Sequence, residues 1–264
     1  MTGVQPERTS SEPPDWDDHW EAYGAIATVN PANEYRHRLI EAALGPLGDG
    51  AVVLDIGSGQ GVMAIRVQHD HPRAAVWGVE ASAAGVRSAE KAAAVAGVGA
   101  RFVQRDLSQP TEPIDGQPLA THAICSEVLE HVPDAADLLR NCRALMAPGC
   151  RVVLTVPGGP RSAFDKHIGH IRHYTKPMLE QTLSAAGLRV ERVDRAGFPF
   201  FNLYKVAVMA RGKRLVRSMA GDAADLPAGT DTASRIFGTL FRANRPSTPF
   251  GWQLLAVATN PGAP

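Results

Sequence analysis

From about residue 51 onward, apolar positions follow two alternating rhythms. Short runs rich in Val, Ile and Leu, bounded by turn residues, predict strands at 51–56, 74–80, 100–104, 120–126 and 150–156. Between and after them, apolar residues recur at helical spacing and predict helices at 61–70, 82–96, 134–147 and 175–186. Alternation of this kind builds an α/β fold, a mostly parallel sheet with helices on both faces. Two more strand-like runs, Leu188–Asp194 and Trp252–Ala258, stand far apart in the chain. Ahead of the sheet, 33–44 reads as a helix stopped by Gly45-Pro46, and the acidic, aromatic stretch Asp15–Tyr23 as a short helix lying over another surface.

Residues 1–14 are polar and proline-containing and read as a disordered N-terminus. The remainder, 15–264, reads as a single domain, because 264 residues with 44% hydrophobic content can bury a full core. One stretch breaks the pattern. Within 196–250, Phe198–Ala210 is apolar, Arg211–Arg217 is basic, and 221–234 is a Gly-, Asp-, Ala- and Thr-rich loop. The segment reads as an insertion that lids a site or forms a homodimer contact. The alternative is a membrane-surface helix whose basic flank meets anionic lipid.

Charge and cysteine content narrow the setting. Basic and acidic residues balance at 27 each, which gives no reason to expect a nucleic acid partner. Three cysteines, Cys125, Cys142 and Cys150, form no CxxC pair and fit a reduced, cytoplasmic chain. No signal-peptide pattern and no long uncharged apolar run stand in the sequence, so neither secretion nor a membrane span is expected.

The candidate chemistry begins at V-L-D-I-G-S-G-Q-G, Val53–Gly61, where a buried strand ends in an acid and turns through Gly57, Gly59 and Gly61 into a helix. A dinucleotide-binding turn would carry its third glycine at position 62, which is Val62. The observed spacing resembles motif I of the class I S-adenosylmethionine-dependent methyltransferases. That resemblance implies a Rossmann-like, mostly parallel sheet of seven strands with the last one antiparallel, so that 188–194 and 252–258 are final hairpin partners split by the insertion. It also implies a methyl donor held at the carboxyl ends of the strands. Gly57 and Gly59 would let the backbone approach the donor, and Asp55 would meet its ammonium. Glu80, at the tip of the second strand, would accept both ribose hydroxyls. Asp106, with Leu107 beside it, would lie near the adenine.

The likeness extends over roughly residues 30–195. It sharpens at C-S-E-V-L-E-H-V-P-D, residues 125–134, which resembles the subgroup of ubiquinone-biosynthesis O-methyltransferases and small-RNA 2′-O-methyltransferases. In that subgroup the residue before the first Glu, here Ser126, contacts the donor. N-P-x-x-x-Y-R-x-x-x-I, Asn30–Ile40, resembles the ubiquinone enzymes' N-terminal segment, which implies Arg36, or Arg38 by the alternative register, at the donor carboxylate. The small-RNA enzymes' E-x-x-E-H, with a later histidine before an aromatic-Thr-basic step, implies a divalent metal (Mg, Mn or Zn) on Glu127, Glu130, His131 and His170.

A metal-free histidine base, His131, His167 or His170, stands as the alternative, since E-V-L-E-H-V and G-H-x-R-x-Y also occur in metal-independent members. If 127–131 begins a helix, its two carboxylates and imidazole share a face. His173 is expected to point away from the others, while Trp20, Tyr23 and 198–204 would close the pocket. The resulting expectation is a bacterial O-methyltransferase acting on a hydroxyl of a small molecule or glycan. Rival readings are a metal-independent N-, C- or lipid methyltransferase docked on a membrane, and a non-catalytic subunit.

Overall fold

The computed structural model describes residues 16–17, 31–219 and 236–262, with 211–219 described in backbone alone. The stretch 1–14, the rings of Trp20 and Tyr23, the basic side chains of 211–217 and the loop expected at 221–234 lie outside the described residues.

In chain order the elements are α1 (Pro31–Leu44), β1 (Val52–Ile56), α2 (Val62–Asp70), β2 (Ala75–Glu80), α3 (Ala83–Ala96), β3 (Arg101–Gln104) and β4 (Ala120–Ser126), then α4 (Ala135–Cys142), β5 (Met146–Pro157), α5 (Ala163–His167), α6 (Lys176–Ala185), β6 (Arg189–Ala196), α7 (Phe200–Met219) and β7 (Gln253–Thr259). The seven strands form one sheet in the order β3-β2-β1-β4-β5-β7-β6. β1 through β5 pair in parallel, and β7 runs antiparallel between β5 and β6. The predicted hairpin partners therefore do pair, across the whole insertion. The helix expected over 134–147 is shorter: it ends at Cys142, tightens into a 3-10 turn at Arg143–Leu145, and β5 starts at once.

β1 shows why the sheet is central. All five of its residues are buried, as a strand covered on both faces requires. Side-chain alternation sends Val52, Leu54 and Ile56 into the core beneath α4 and α6, and Val53 into the core beneath α1, α2 and α3. Each fully buried Leu or Ile contributes roughly 1.5–3 kcal/mol. The sheet's edges are protected by different means: β3 is only four residues long, and β6 carries Arg189, Glu191, Arg192, Asp194 and Arg195. Helix starts are set by local chemistry. Ser82 caps α3 by accepting from Gly85 N–H, Thr175 caps α6, and Ser162 with Asp165 closes a capping box on α5.

The insertion leaves and re-enters the sheet at one place. Gly197 N–H donates to Arg245 O at 3.2 Å and Arg245 N–H to Phe198 O at 3.0 Å. Asn244 Oδ1 then caps the first turn of α7, accepting from the amides of Phe200 (2.8 Å) and Phe201 (3.2 Å). Phe201 and Phe241 are buried with Tyr35 of α1, which ties the insertion to the main core.

Candidate active site

Strand order reverses between β1 and β4, and a cavity of about 310 Å³ opens at their carboxyl ends, large enough for a small ligand. One half of it is a backbone turn. Gly57, Gly59 and Gly61 take φ of 65°, 53° and 77°, the left-handed region that L side chains avoid. A Cβ on Gly57 would come within 2.6 Å of Val128 Cγ2, and one on Gly61 within 2.8 Å of both Ala89 Cβ and the Phe102 ring. Glycine is thus required by space as well as by conformation.

Glu80 locks the turn from the tip of β2. Its Oε2 accepts from Gly59 N–H at 2.8 Å and its Oε1 from Ser82 N–H at 2.9 Å. Asp55 lines the cavity while only 3% exposed. Burial pushes its carboxyl up to about 7, against the hydrogen bond from the Ala64 amide and with the charge of Glu80. Arg36 enters from α1, hydrogen-bonding Asn33 Oδ1 and lying 3.5 Å from Glu127 Oε2. Arg38 instead turns to Glu34 at 3.8 Å and does not line the cavity, so Arg36 is the arginine placed at this site. Ser126 lines it too, its Oγ 2.9 Å from Thr155 Oγ1. Asp106 stands exposed beyond β3, one oxygen accepting from Ser108 N–H, and Leu107 is buried in the core. Neither lines the cavity.

The other half is assembled from side chains. E-x-x-E-H does not begin a helix: Glu127 sits at φ 56°, the one left-handed non-glycine among the described residues, and Leu129–His131 is a 3-10 turn. The shared face expected from helical spacing is therefore lost. Glu127 faces Arg36 and accepts from Gln253 Nε2 at 2.9 Å. Glu130 turns inward and is fully buried. Apart from its own amide, neither of its oxygens has a hydrogen-bond partner among the described residues. Burial, reinforced by the charge of Glu127, raises its carboxyl well above the usual range.

Glu130, His131 and His170 meet with their ligating atoms all within 4.8 Å of one another. The His131 and His170 rings pack edge to face at 4.7 Å between centroids, and Trp16 covers His131 at 5.3 Å. Burial, then the neighbouring His131, pushes His170 down to about 2, so this imidazole is neutral. His167 is exposed at the end of α5 and does not line the cavity.

His173 does not point away. Its Nε2 lies 3.2 Å from His170 Nδ1, and its Nδ1 lies 3.2 Å from Gly159 O. Asp165 and Lys205 join the group unannounced: Lys205 Nζ reaches across from α7 to Asp165 Oδ1 at 2.9 Å. Burial alone would raise Asp165, but Lys205 and the Ser162 hydrogen bonds outweigh it and bring the carboxyl to about 2. The S-x-x-D capping box at 162–165 was a legible signal for Asp165. Nothing local marks Lys205 or Gln253, since Lys205 arrives from within the insertion, on α7, and Gln253 from beyond it, on β7.

A family model described as a methyltransferase domain matches residues 30–193. The ubiquinone biosynthesis O-methyltransferase of Pseudomonas aeruginosa (strain LESB58) is 30% identical over 151 residues, 57% of this chain and 62% of that protein. The enzyme of the same name from Xanthomonas axonopodis pv. citri (strain 306) is 28% identical over 191 residues, 66% of this chain and 77% of its own. The matched region thus spans less than two thirds of the Pseudomonas relative's length. Among solved structures, the [4+2]-cyclase SpnF superposes with a TM-score of 0.63 at 17% identity, over 95% of this chain and 98% of its own. Phosphoethanolamine N-methyltransferase 2 of Haemonchus contortus, in complex with S-adenosyl-L-methionine, superposes with a TM-score of 0.59 at 17% identity, over 93% and 57%. These structural likenesses speak for the fold.

Proposed function

This chain belongs to the class I S-adenosylmethionine-dependent methyltransferase family, and on that premise we propose that it methylates a hydroxyl of a small-molecule or glycan acceptor in the cytoplasm. The observation that carries the reading is one cavity bounded by the glycine turn and Asp55 on one side and by His131 and His170 on the other. S-adenosylmethionine supplies an electrophilic methyl group, whose carbon–sulfur bond breaks as the acceptor oxygen's lone pair forms the new carbon–oxygen bond.

The residues fit that donor. Asp55, a buried carboxylate raised by burial, gains a compensating charge from an ammonium. Arg36 and the first amides of α2 suit a carboxylate. The Glu80 carboxylate, at the tip of β2, suits two ribose hydroxyls. Ser126 borders the same space, and Asp106, exposed beyond β3 and outside the cavity lining, offers a carboxylate toward the adenine amino group, with Leu107 next to it in the chain. The imidazole of His170, which burial keeps neutral, or that of His131 accepts the proton the acceptor hydroxyl sheds. Holding donor and acceptor in line is the larger part of what the chain contributes.

Glu130, His131 and His170 also suit a divalent cation, because two imidazoles and a carboxylate make a mixed oxygen and nitrogen donor set, and the Glu130 oxygens have no hydrogen-bond partner among the described residues beyond its own amide. A cation held there would lower the pKa of the acceptor hydroxyl and orient its oxygen. Glu127, engaged by Arg36 and Gln253, stays outside that set. The test is titration of EDTA-treated protein with S-adenosylhomocysteine, then with Mg, Mn and Zn. Product binding with saturable, stoichiometric cation uptake supports both parts. Product binding without cation uptake leaves the histidine base alone, and no product binding removes the donor site.

A second reading has its own observation. Leu203, Val206, Phe198 and Phe250 are exposed on and beside α7, a surface suited to an acceptor presented at a membrane. No helix among the described residues is long and apolar enough to cross one. Absence of binding to anionic vesicles at low salt eliminates this reading.

A further inference from the structure

His173 has no part in the donor site and does not line the cavity, yet its ring is held at both nitrogens. Nδ1 lies 3.2 Å from Gly159 O. A carbonyl only accepts, so His173 carries its proton on Nδ1. Nε2 lies 3.2 Å from His170 Nδ1. With His173 neutral, Nε2 can only accept, and the proton between the two rings belongs to His170 Nδ1. His170 Nε2 is left as a bare lone pair, 3.9 Å from Glu130 Oε1 and beside His131.

Each anchor of this chain of hydrogen bonds is fixed in turn. Gly159 has φ 72°, and a Cβ there would meet the Trp252 ring at 2.7 Å. Its neighbour Gly158 N–H donates to Trp252 O at 2.7 Å, while Tyr174 N–H donates to Pro157 O at 2.9 Å. His170 N–H donates to Asp165 O at 2.9 Å, and Arg161 Nη1 donates to His170 O at 3.1 Å. The Gly159 carbonyl and the charge of Glu127 also favour a second proton on His173, but the group that would draw it most is Asp165, whose Oδ2 is 3.9 Å from Nε2. That carboxylate is already neutralised by Lys205 at 2.9 Å and bonded by Ser162 N–H at 2.7 Å.

We propose that His173 is the positioning residue that fixes His170 in its Nδ1–H tautomer, so that His170 presents the Nε2 lone pair to Glu130, His131 and the acceptor. This rests on the reading that His170 faces the acceptor, but the tautomer itself can be measured without acceptor or donor. The same lone pair serves either chemistry, as proton acceptor or as metal ligand, and an outer hydrogen bond of this kind is what orients a ligating imidazole.

The experiment is long-range proton–nitrogen NMR of the metal-free protein carrying 15N-histidine, at neutral pH. His170 is expected to show a protonated, pyrrole-type Nδ1 and a bare, pyridine-type Nε2. His173→Phe keeps the ring volume but removes the acceptor, and should lose the Nδ1–H form. His173→Gln restores a donor toward Gly159 and an acceptor toward His170, and should recover it. Manganese affinity should fall roughly 10–100-fold in His173→Phe and much less in His173→Gln. A protonated Nε2 on His170 in the unmodified protein overturns the proposal, even if neither variant folds. So does an unchanged Nδ1–H in a folded His173→Phe. Whether the unmodified protein takes up manganese at all decides the metal reading separately.

Discussion

The side of the cavity proposed for the donor is made mostly of backbone, and the side proposed for the acceptor mostly of side chains. On the donor side, three left-handed glycines, the start of α2 and two strand tips define the space, and Glu80 secures the turn through two amides. On the other side, Glu130, His131, His170, His173, Asp165 and Lys205 come from four separate stretches of chain: the 3-10 turn at Leu129–His131, α5, the loop after it and the insertion helix. Backbone geometry repeats wherever the same turn repeats, so the donor side tolerates little change. A side-chain constellation can be re-aimed one residue at a time. The difference suits an enzyme family with one donor and many acceptors.

Experiments can break this division or sharpen it, and the largest effect belongs to the turn. Gly61→Val places a β-branched side chain at φ 77° and against Phe102 and Ala89. It should cost about 2–5 kcal/mol of folding stability, strain and overpacking together, read from denaturant unfolding. A change under about 0.5 kcal/mol would mean the turn is not rigid.

Next come His131→Ala and His170→Ala, each expected to abolish stoichiometric cation uptake while leaving S-adenosylhomocysteine affinity nearly intact, since neither side chain is among those proposed to hold the donor. Equal loss of both ligands would show that the two sides are one unit. Arg36→Ala should weaken product binding by roughly 10–100-fold, the loss of a charged hydrogen bond of about 1.5–3 kcal/mol. Arg38→Ala should leave it unchanged, and the reverse outcome would reassign the carboxylate partner.

The smallest effect is a pH dependence. Asp55 titrates near 7 in the folded protein, above its usual value, so between about 4 and 7 the folded state binds the extra proton. Stability from this group is full below the unfolded pKa and declines as pH rises to about 7. An ammonium beside Asp55 favours the ionised form, so product affinity should rise by about tenfold between pH 6 and 7.5. Asp55→Asn should flatten the profile; a profile unchanged by that substitution would detach Asp55 from the ammonium.

The same contrast explains what could be read from the sequence. Val53–Gly61 is contiguous, and strand, acid and glycine spacing together force one local geometry, so the turn, Asp55 and Glu80 were legible. Arg36 was legible only to within two residues, because helical register depends on where α1 starts. The acceptor side resisted for particular reasons. Glu127 was expected on a helical face, but its left-handed backbone turns it toward Arg36 and Gln253. His173 was expected to point away, since nothing in I-R-H-Y reveals that the carbonyl of Gly159 waits 3.2 Å from its ring. Lys205 reaches Asp165 from forty positions downstream, a pairing set by how the insertion packs and not by any spacing within it.

The pinched stem at Gly197, Phe198 and Arg245 carries a consequence for how such a protein can change. Because the two ends of the insertion are already fastened together, the sheet does not register how much chain lies between them. Closing a loop costs only about 0.6 kcal/mol more for each doubling of its length. The segment beyond the stem can therefore lengthen, shorten or be exchanged as a cassette, provided Phe201 and Phe241 still plug the core and Asn244 still caps the helix. A new acceptor range can arise by grafting at that joint while the strands, and the donor they serve, stay as they are.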